Sequence, residues 1–316
     1  MRRRGRRDDA GAGRGGLLRP GIIGAPEDPQ VSRVARGLRE RGADPALLDL
    51  SRFPDHDQLT LLDGVPSAAG LDLCAVSRWY VRSFPLPLPF FPVDGSDRAY
   101  AAGREQRSFL SSFVGALERA GATFFNPPAL LGQHFLKLEQ LQMLRSASVP
   151  IPRTLATNDP EAVAEFARNV GGHVVYKPLA GGALCRRLEP DDLGSQRLAL
   201  LSNAPVLFQE EVPGQNLRVY VVAGEVVASY EISSDQLDYR GAETAVHPIS
   251  LSDGERDACR QAATACGMAF TGIDVRRRPD GGFAVLECNP SPMFAGIEQR
   301  TGTTAIATAL ADLLTG

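Results

Sequence analysis

The chain has 316 residues, of which 43% are hydrophobic and 22% charged, with a formal net charge of −3 at neutral pH. That length holds two or three compact modules, and the composition is that of an ordinary water-soluble globular protein. No run of about 18 apolar residues is present, so no hydrophobic membrane-spanning helix is expected, and the acidic balance argues against a dedicated nucleic-acid binder.

The charge is unevenly spread. Arg2, Arg3, Arg4, Arg6, Arg7, Arg14 and Arg19 against Asp8 and Asp9 give residues 1–19 a net +5 and leave −8 for the remainder. This Gly-rich stretch lacks an apolar core and does not read as a secretory signal. It is expected to be a disordered basic arm or a misplaced start, with a phosphate-contacting tail as the alternative. Cys74, Cys185, Cys259, Cys266 and Cys288 are scattered and not in paired metal spacing, which predicts reduced thiols and a cytoplasmic protein.

Residues 20–24 read as a short strand, and 31–41 as a helix with Val31, Val34, Ala35 and Leu38 on one stripe. Strands are expected over 46–50 and 73–76, and this βαβ start predicts a parallel sheet with right-handed crossovers. Gly21-Ile22-Ile23-Gly24 is too short a glycine pattern to claim a dinucleotide site. Trp79, Tyr80, Phe84, Phe90 and Phe91 surround a proline-alternating run that is extended by necessity. They could wall a groove for a peptide or aromatic ligand, or pack a surface loop on itself.

A long helix is expected over 97–120, a strand over 122–125, a stop at Asn126-Pro127-Pro128 and a helix over 133–147, with a new extended piece opening near Pro150. Asn158-Asp159-Pro160 caps a helix that closes at Gly171-Gly172. A strand over 173–178 runs into Gly181-Gly182, three strand-like runs follow over 206–232, and helices are predicted over 252–267 and 296–314. Antiparallel hairpins segregated from helices make this half α+β.

The chemistry concentrates in a hairpin. Gly272-Ile273-Asp274-Val275 and Val285-Leu286-Glu287-Cys288-Asn289-Pro290 flank the turn Pro279-Asp280-Gly281-Gly282. Strand periodicity puts Asn289 on the face of Glu287, with Asp274 on the adjacent strand. Such an oxygen-only set suits Mg²⁺ or Mn²⁺, whose remaining ligands come from substrate phosphates and water; a solvated hairpin end is the plainer alternative. Lys177 leaves a strand just before a glycine pair, as a phosphate contact would. Gln209-Glu210-Glu211-Val212 ends an apolar strand where an adenine edge and ribose could be read. Arg218 is a cation within an apolar strand and so predicts an anionic partner, whereas Arg240 sits in a connection where a surface arginine is the plainer reading.

The ordered set Lys137, Val175-Tyr176-Lys177-Pro178, Gln209 to Val212, Asn216-Leu217-Arg218, Asp238-Tyr239-Arg240, Gly272-Ile273-Asp274, Leu286-Glu287-Cys288-Asn289-Pro290 and Gly296-Ile297-Glu298 resembles an ATP-grasp ligase. It is closely similar to the RimK-type glutamate ligases over about 126–302, and Asp238-Tyr239-Arg240 with Trp79-Tyr80-Val81-Arg82 also resembles the ATP-grasp enzymes that crosslink ribosomal peptides.

The resemblance implies an α/β pre-ATP-grasp domain over 20–125 and a two-lobed α+β ATP-grasp fold over 126–316, with a small lobe at about 150–208 and a large one at 209–316. It implies ATP as cosubstrate, with Lys137, Lys177, Gly181 and Gly182 at the phosphates and Gln209, Glu210, Glu211 and Val212 as the hinge at the adenine. Asn216 falls at the ribose, where RimK-type enzymes carry an aspartate. Arg218 and Arg240 become the catalytic cations at the γ-phosphate, and Asp274, Glu287 and Asn289 become ligands of two Mg²⁺ or Mn²⁺ ions. Gly241 and Ala242 replace the serine and asparagine of the RimK pattern, and Leu136 replaces an acid before Lys137.

The activity implied is ATP-dependent joining of a carboxylate to an amine through an acyl phosphate, on an amino acid or a peptide. The alternatives are a macrocyclase forming side-chain ester or amide crosslinks, a small-molecule kinase, or a non-catalytic ATP-binding module. A homo-oligomer is left open.

Overall fold

The computed structural model of the chain describes residues 19–51, 53–55, 58–85, 97–194, 196–238 and 243–316. The basic arm over 1–18, Phe90, Phe91 and the segment Tyr239-Arg240-Gly241-Ala242 lie outside the described residues.

The N-terminal elements are β1 (Arg19–Ile23), α1 (Pro29–Glu40), β2 (Ala46–Leu48), a hairpin of β3 (Leu59–Leu62) and β4 (Val65–Ala68), β5 (Val76–Val81), α2 (Asp97–Arg119) and β6 (Thr123–Phe125). As predicted, β2-β1-β5-β6 form a parallel sheet in that order. The α1 helix starts where Asp28 accepts hydrogen bonds from the amides of Gln30 and Val31, and Pro29 occupies the first turn, where its missing N–H leaves no bond unmade.

Two readings are corrected here. Residues Leu73–Ala75 form a 3₁₀ turn, and the strand begins at Val76. In consequence Trp79 and Tyr80 are interior strand residues, 0% and 1% exposed, rather than the wall of a ligand groove. The reason is topological: β5 lies between β1 and β6, and strands inside a parallel sheet are covered on both faces. A Cβ on Gly21 would stand 2.3 Å from the Trp79 ring, so that glycine admits the indole. The β3–β4 hairpin was not anticipated, although its two-residue turn Asp63-Gly64, with φ of 50° and 83°, is a strong hairpin signal.

The chain continues through a 3₁₀ segment (Pro128–Phe135), α3 (Lys137–Ser146), β7 (Thr154–Thr157), α4 (Pro160–Asn169), β8 (Val174–Lys177), β9 (Arg186–Arg187), α5 (Gln196–Ala199) and β10 (Val206–Glu210). The helix expected over 133–147 is therefore broken at Leu136, whose φ of −109° and ψ of 51° are not helical. Strands β7-β10-β8-β9 make a second, antiparallel sheet with its own core around Val163, Val174, Leu201 and Phe208.

Then come β11 (Gln215–Val222), β12 (Glu225–Ser234), β13 (Glu243–Pro248), α6 (Asp253–Ala265), β14 (Phe270–Arg277), β15 (Phe283–Asn289), α7 (Ala295–Thr301) and α8 (Ala305–Thr315). The strands form an antiparallel sheet in the order β13-β12-β11-β14-β15. The single helix expected over 296–314 is two. Gly302 takes a left-handed φ of 69°, and the buried Glu298 carboxylate accepts the amides of Ile306 and Ala307 that open α8. Glu298 also pairs with Arg33 of α1 at 2.9 Å.

Helices α1, α7 and α8 join the first sheet to the third. Ile22, Val34 and Leu38 share one core with Tyr220, Phe270, Phe294, Ile306 and Leu310. Gln30 Oε1 accepts the amides of Phe294 and Ala295, which fixes the entry to α7.

Candidate active site

Register delivers the hairpin residues. On β14 and β15, Asp274 stands opposite Glu287 and Gly272 opposite Asn289, with an irregularity just after the Asp274 pair. On the other flank, β11 sets Arg218 opposite Asp274. Arg218 Nη1 donates to Asp274 Oδ1 at 2.7 Å, and its guanidinium carbon lies 5.4 Å from the centre of the Tyr220 ring. The predicted anionic partner of Arg218 is thus one of the predicted metal ligands.

Glu287 is approached from two other elements, the first turn of α3 and the 3₁₀ segment before it. From the first turn of α3, Lys137 Nζ lies 2.6 Å from Glu287 Oε2, and His134 Nδ1 lies 3.7 Å from Oε1. Burial alone would raise the Glu287 carboxyl, but Lys137, Lys177 and His134 outweigh it and hold it below its ordinary value. Desolvation in the cleft lowers the Lys177 ammonium; Glu287 opposes that shift and Lys137 adds to it. A cleft that strips water from two lysines and a carboxylate strengthens every charge–charge interaction inside it.

The hinge residues are tied rather than free. Gln209 is buried, and its Nε2 donates to Thr154 Oγ1 at 3.0 Å. Glu210 pairs with Arg278 at 3.0 Å, and Glu211 takes a fork from Arg187, with Nη2–Oε1 at 2.7 Å. The Arg187 hydrogen bonds hold the Glu211 carboxyl below its ordinary value against the opposing effect of burial. Arg276, which the sequence reading missed, donates from Nε to the Val212 carbonyl at 2.9 Å and from Nη1 to Asn216 Oδ1. It stands two residues after Asp274 on the same strand, a period-2 signal that could have found it.

Between these groups lies a cavity of about 300 Å³ lined by Lys137, Lys177, Gly181, Gln209, Glu210, Glu211, Val212, Asn216, Arg218, Asp274, Glu287 and Asn289. Of the remaining site residues, Gly182 follows Gly181 in the same loop, and Arg240 lies outside the described residues. Gly181 and Gly182 have φ of 82° and 88°, a consecutive left-handed pair open to glycine at little strain. Asp238 Oδ2 accepts the Cys185 amide at 2.9 Å, so the glycine loop and the segment leaving β12 meet over the cavity.

Asn126 stops the strand as expected, but its side chain has a role that the sequence reading missed. It is 1% exposed; its Nδ2 donates to the carbonyls of Phe270 and Pro290, and its Oδ1 accepts the Phe270 amide. The proline stop therefore anchors a side chain that ties the start of β14 to the end of β15.

A family model for the RimK-like ATP-grasp domain matches residues 136–314. The chain belongs to the RimK-like ATP-grasp family. As a member, it is an ATP-grasp ligase, and the mixed α/β architecture with an antiparallel pair of sheets around the cleft is the ATP-grasp fold. A probable alpha-L-glutamate ligase of Teredinibacter turnerae is 30% identical over 203 residues, 61% of this chain and 67% of that protein. The solved ATP-grasp ligase PsnB, complexed with a minimal precursor, is 37% identical with a TM-score of 0.82, covering 94% of this chain and 98% of that one. PsnB has also been solved with a phosphomimetic variant of that precursor, Mg and ADP. The macrocyclase MdnC of Microcystis aeruginosa, bound with precursor peptide MdnA, shares the fold at 24% identity and a TM-score of 0.79, over 95% of this chain and all of that one. ATP-grasp ligases use ATP, and no helix among the described residues of this RimK-like chain is long and apolar enough to cross a membrane.

Proposed function

We propose that this ATP-grasp ligase activates a carboxylate of a peptide as an acyl phosphate and joins it to an amine or hydroxyl, so that the product is an amide or ester crosslink. The observation that carries the reading is the convergence of Lys137, Lys177 and Arg218 on Asp274 and Glu287 within one cavity. Three cations beside two acids suit a substrate that brings its own negative charge and metal. The peptide, rather than a free amino acid, is favoured by the likeness to PsnB, which spans 94% of the chain, whereas the glutamate-ligase relative aligns over 61%. The division into a pre-ATP-grasp domain over 20–125 and an ATP-grasp domain over 126–316 belongs to the same proposal; the separate core around Trp79, Phe113 and Phe124 supports it.

Asp274, Glu287 and Asn289 offer oxygen donors only, which fits Mg²⁺ or Mn²⁺ and leaves coordination positions for phosphate oxygens and water. When bound, one or two such ions would neutralise charge on the transferring phosphoryl group. The residues of the chain do the rest. Lys137 and Lys177 bind phosphate oxygens, Gln209 to Val212 form the hinge against the adenine, and Asn216, held by Arg276, meets the ribose. Arg218 and Arg240 hold the γ-phosphate and the acyl phosphate. The carboxylate oxygen attacks the γ-phosphorus and ADP departs; the amine or hydroxyl then attacks the acyl carbon, phosphate leaves, and a proton is released. The loop of Gly181 and Gly182 and the Asp238 segment exclude water from the acyl phosphate.

The test is incubation with ATP, Mg²⁺ and a pool of acidic peptides, with and without hydroxylamine, read by mass spectrometry. ADP together with peptide hydroxamate, both absent in Asp274→Asn and Glu287→Gln, is the expected result, with loss of one water from the peptide when hydroxylamine is omitted. ADP with a stable phosphorylated product and no hydroxamate would show a kinase instead.

A further inference from the structure

Strand β15 closes one side of the third sheet, so the outward peptide groups of its last residues have no neighbouring strand. At Cys288 a side chain takes that place. Gln140 of α3 donates from Nε2 to the Cys288 carbonyl at 2.7 Å and accepts the Cys288 amide at Oε1 at 2.8 Å. The carboxamide thus reproduces the two-bond pattern of an adjacent strand at the single residue between Glu287 and Asn289. Gln140 is 3% exposed, so water does not compete for these bonds. Three residues earlier on the same helix face, Lys137 holds the Glu287 carboxylate. From the interior, Asn126 accepts and donates at Phe270 and Pro290, bracketing the same strand end.

We infer that Gln140 is a positioning residue that sets the spacing of Glu287 and Asn289 for the metal–nucleotide complex. The inference rests on the ligand roles proposed above for those two residues. Side chains on either side of Cys288 share the cavity face, and the two peptide groups held by Gln140 are those that join Cys288 to Glu287 and to Asn289, so a turn of either one moves a neighbouring donor side chain. A fixed peptide gives fixed donors. Loss of an outer partner of this kind typically weakens metal binding by roughly 10–100-fold.

The experiment measures Mn²⁺ binding by the full chain in the presence of ADP, followed by the electron paramagnetic resonance of free Mn²⁺, beside calorimetric binding of ADP without metal. Gln140→Glu keeps the shape but sets a second acceptor against the Cys288 carbonyl; Gln140→Met removes both bonds and serves if the charge prevents folding. Expected is a loss of about tenfold or more in Mn²⁺ affinity with metal-free ADP affinity within about threefold of the parent. Equal losses with and without metal, or none, would overturn the role of Gln140 while leaving the proposed function intact. A parent protein that binds ADP but holds no Mn²⁺ would overturn both.

Discussion

Arg218 and Asp274 face each other across β11 and β14, with Nη1 and Oδ1 2.7 Å apart, and Arg218 is 8% exposed. A cation this deep is held by its partner, and it also lines the cavity proposed to take the nucleotide. Arg218→Ala is expected to lower ADP and hydroxamate formation on the order of 10³-fold, as loss of a phosphoryl-binding arginine does. Arg218→Lys should recover only part of this, because a point charge cannot reproduce the planar fork. Initial rates at saturating ATP decide it.

Gly272 is required by its neighbours rather than by its backbone angle. A Cβ there would lie 2.6 Å from Pro292 Cβ and 2.7 Å from Arg218 Nη2. Gly272→Ala is expected to destabilise by about 1–3 kcal/mol through overpacking and to displace the guanidinium. Urea unfolding reads the first effect. The ligation rate of the folded variant reads the second, and an unchanged rate would contradict the contact.

Glu255 gives a pH signature. It completes a capping box with Ser252 at the start of α6 and takes a fork from Arg277, with Nε–Oε1 and Nη2–Oε2 both at 2.7 Å. Burial raises its carboxyl, but Arg277 and Ser252 outweigh burial and leave it below the ordinary 4.5. A depressed carboxyl stabilises the fold in full above its unfolded value, and that contribution is lost as pH falls through the folded one. Glu255→Gln is therefore expected to be less stable than the parent by about 2–3 kcal/mol at neutral pH. The gap should narrow below the ordinary value of 4.5. Denaturant titrations at several pH values measure it.

Asn126→Ala leaves the Phe270 amide and the Phe270 and Pro290 carbonyls without their partner in a buried setting. With about 1–3 kcal/mol for each unsatisfied group, a loss of roughly 3 kcal/mol or more is expected. Nucleotide-induced thermal stabilisation should shrink as well, since both strands that carry Asp274 and Glu287 lose a tie. A variant as stable as the parent would mean that the interior accepts water at this position.

Much of the site was legible because it is written in short-range pattern. The hairpin residues follow from strand periodicity and a Gly-Gly turn, so Asp274, Glu287 and Asn289 could be grouped before any coordinates. Lys177 and the glycine pair were legible for the same reason, as was the Asp159 cap of α4. Arg276 offered only its place two residues after Asp274, and Gln140 offered no local signal, because their partners lie 64 and 148 residues away. Trp79 and Tyr80 were misread because aromatic residues beside a proline-rich run look alike whether they face a ligand or a core.

The sequence by itself determined the local order: parallel βαβ units first, antiparallel hairpins after, and an ordered set of polar residues similar to the ATP-grasp ligases. Periodicity and turn chemistry act over a few residues, and those are the distances at which a sequence can be read directly. Only the tertiary structure decided which cation meets which acid, that Arg218 answers Asp274 and Lys137 answers Glu287. It also decided that 296–314 bends at Gly302 so that Glu298 can cap α8 and hold α1. Those choices depend on strand register and helix docking, where burial makes an unpaired charge costly and so selects one long-range pairing over the rest.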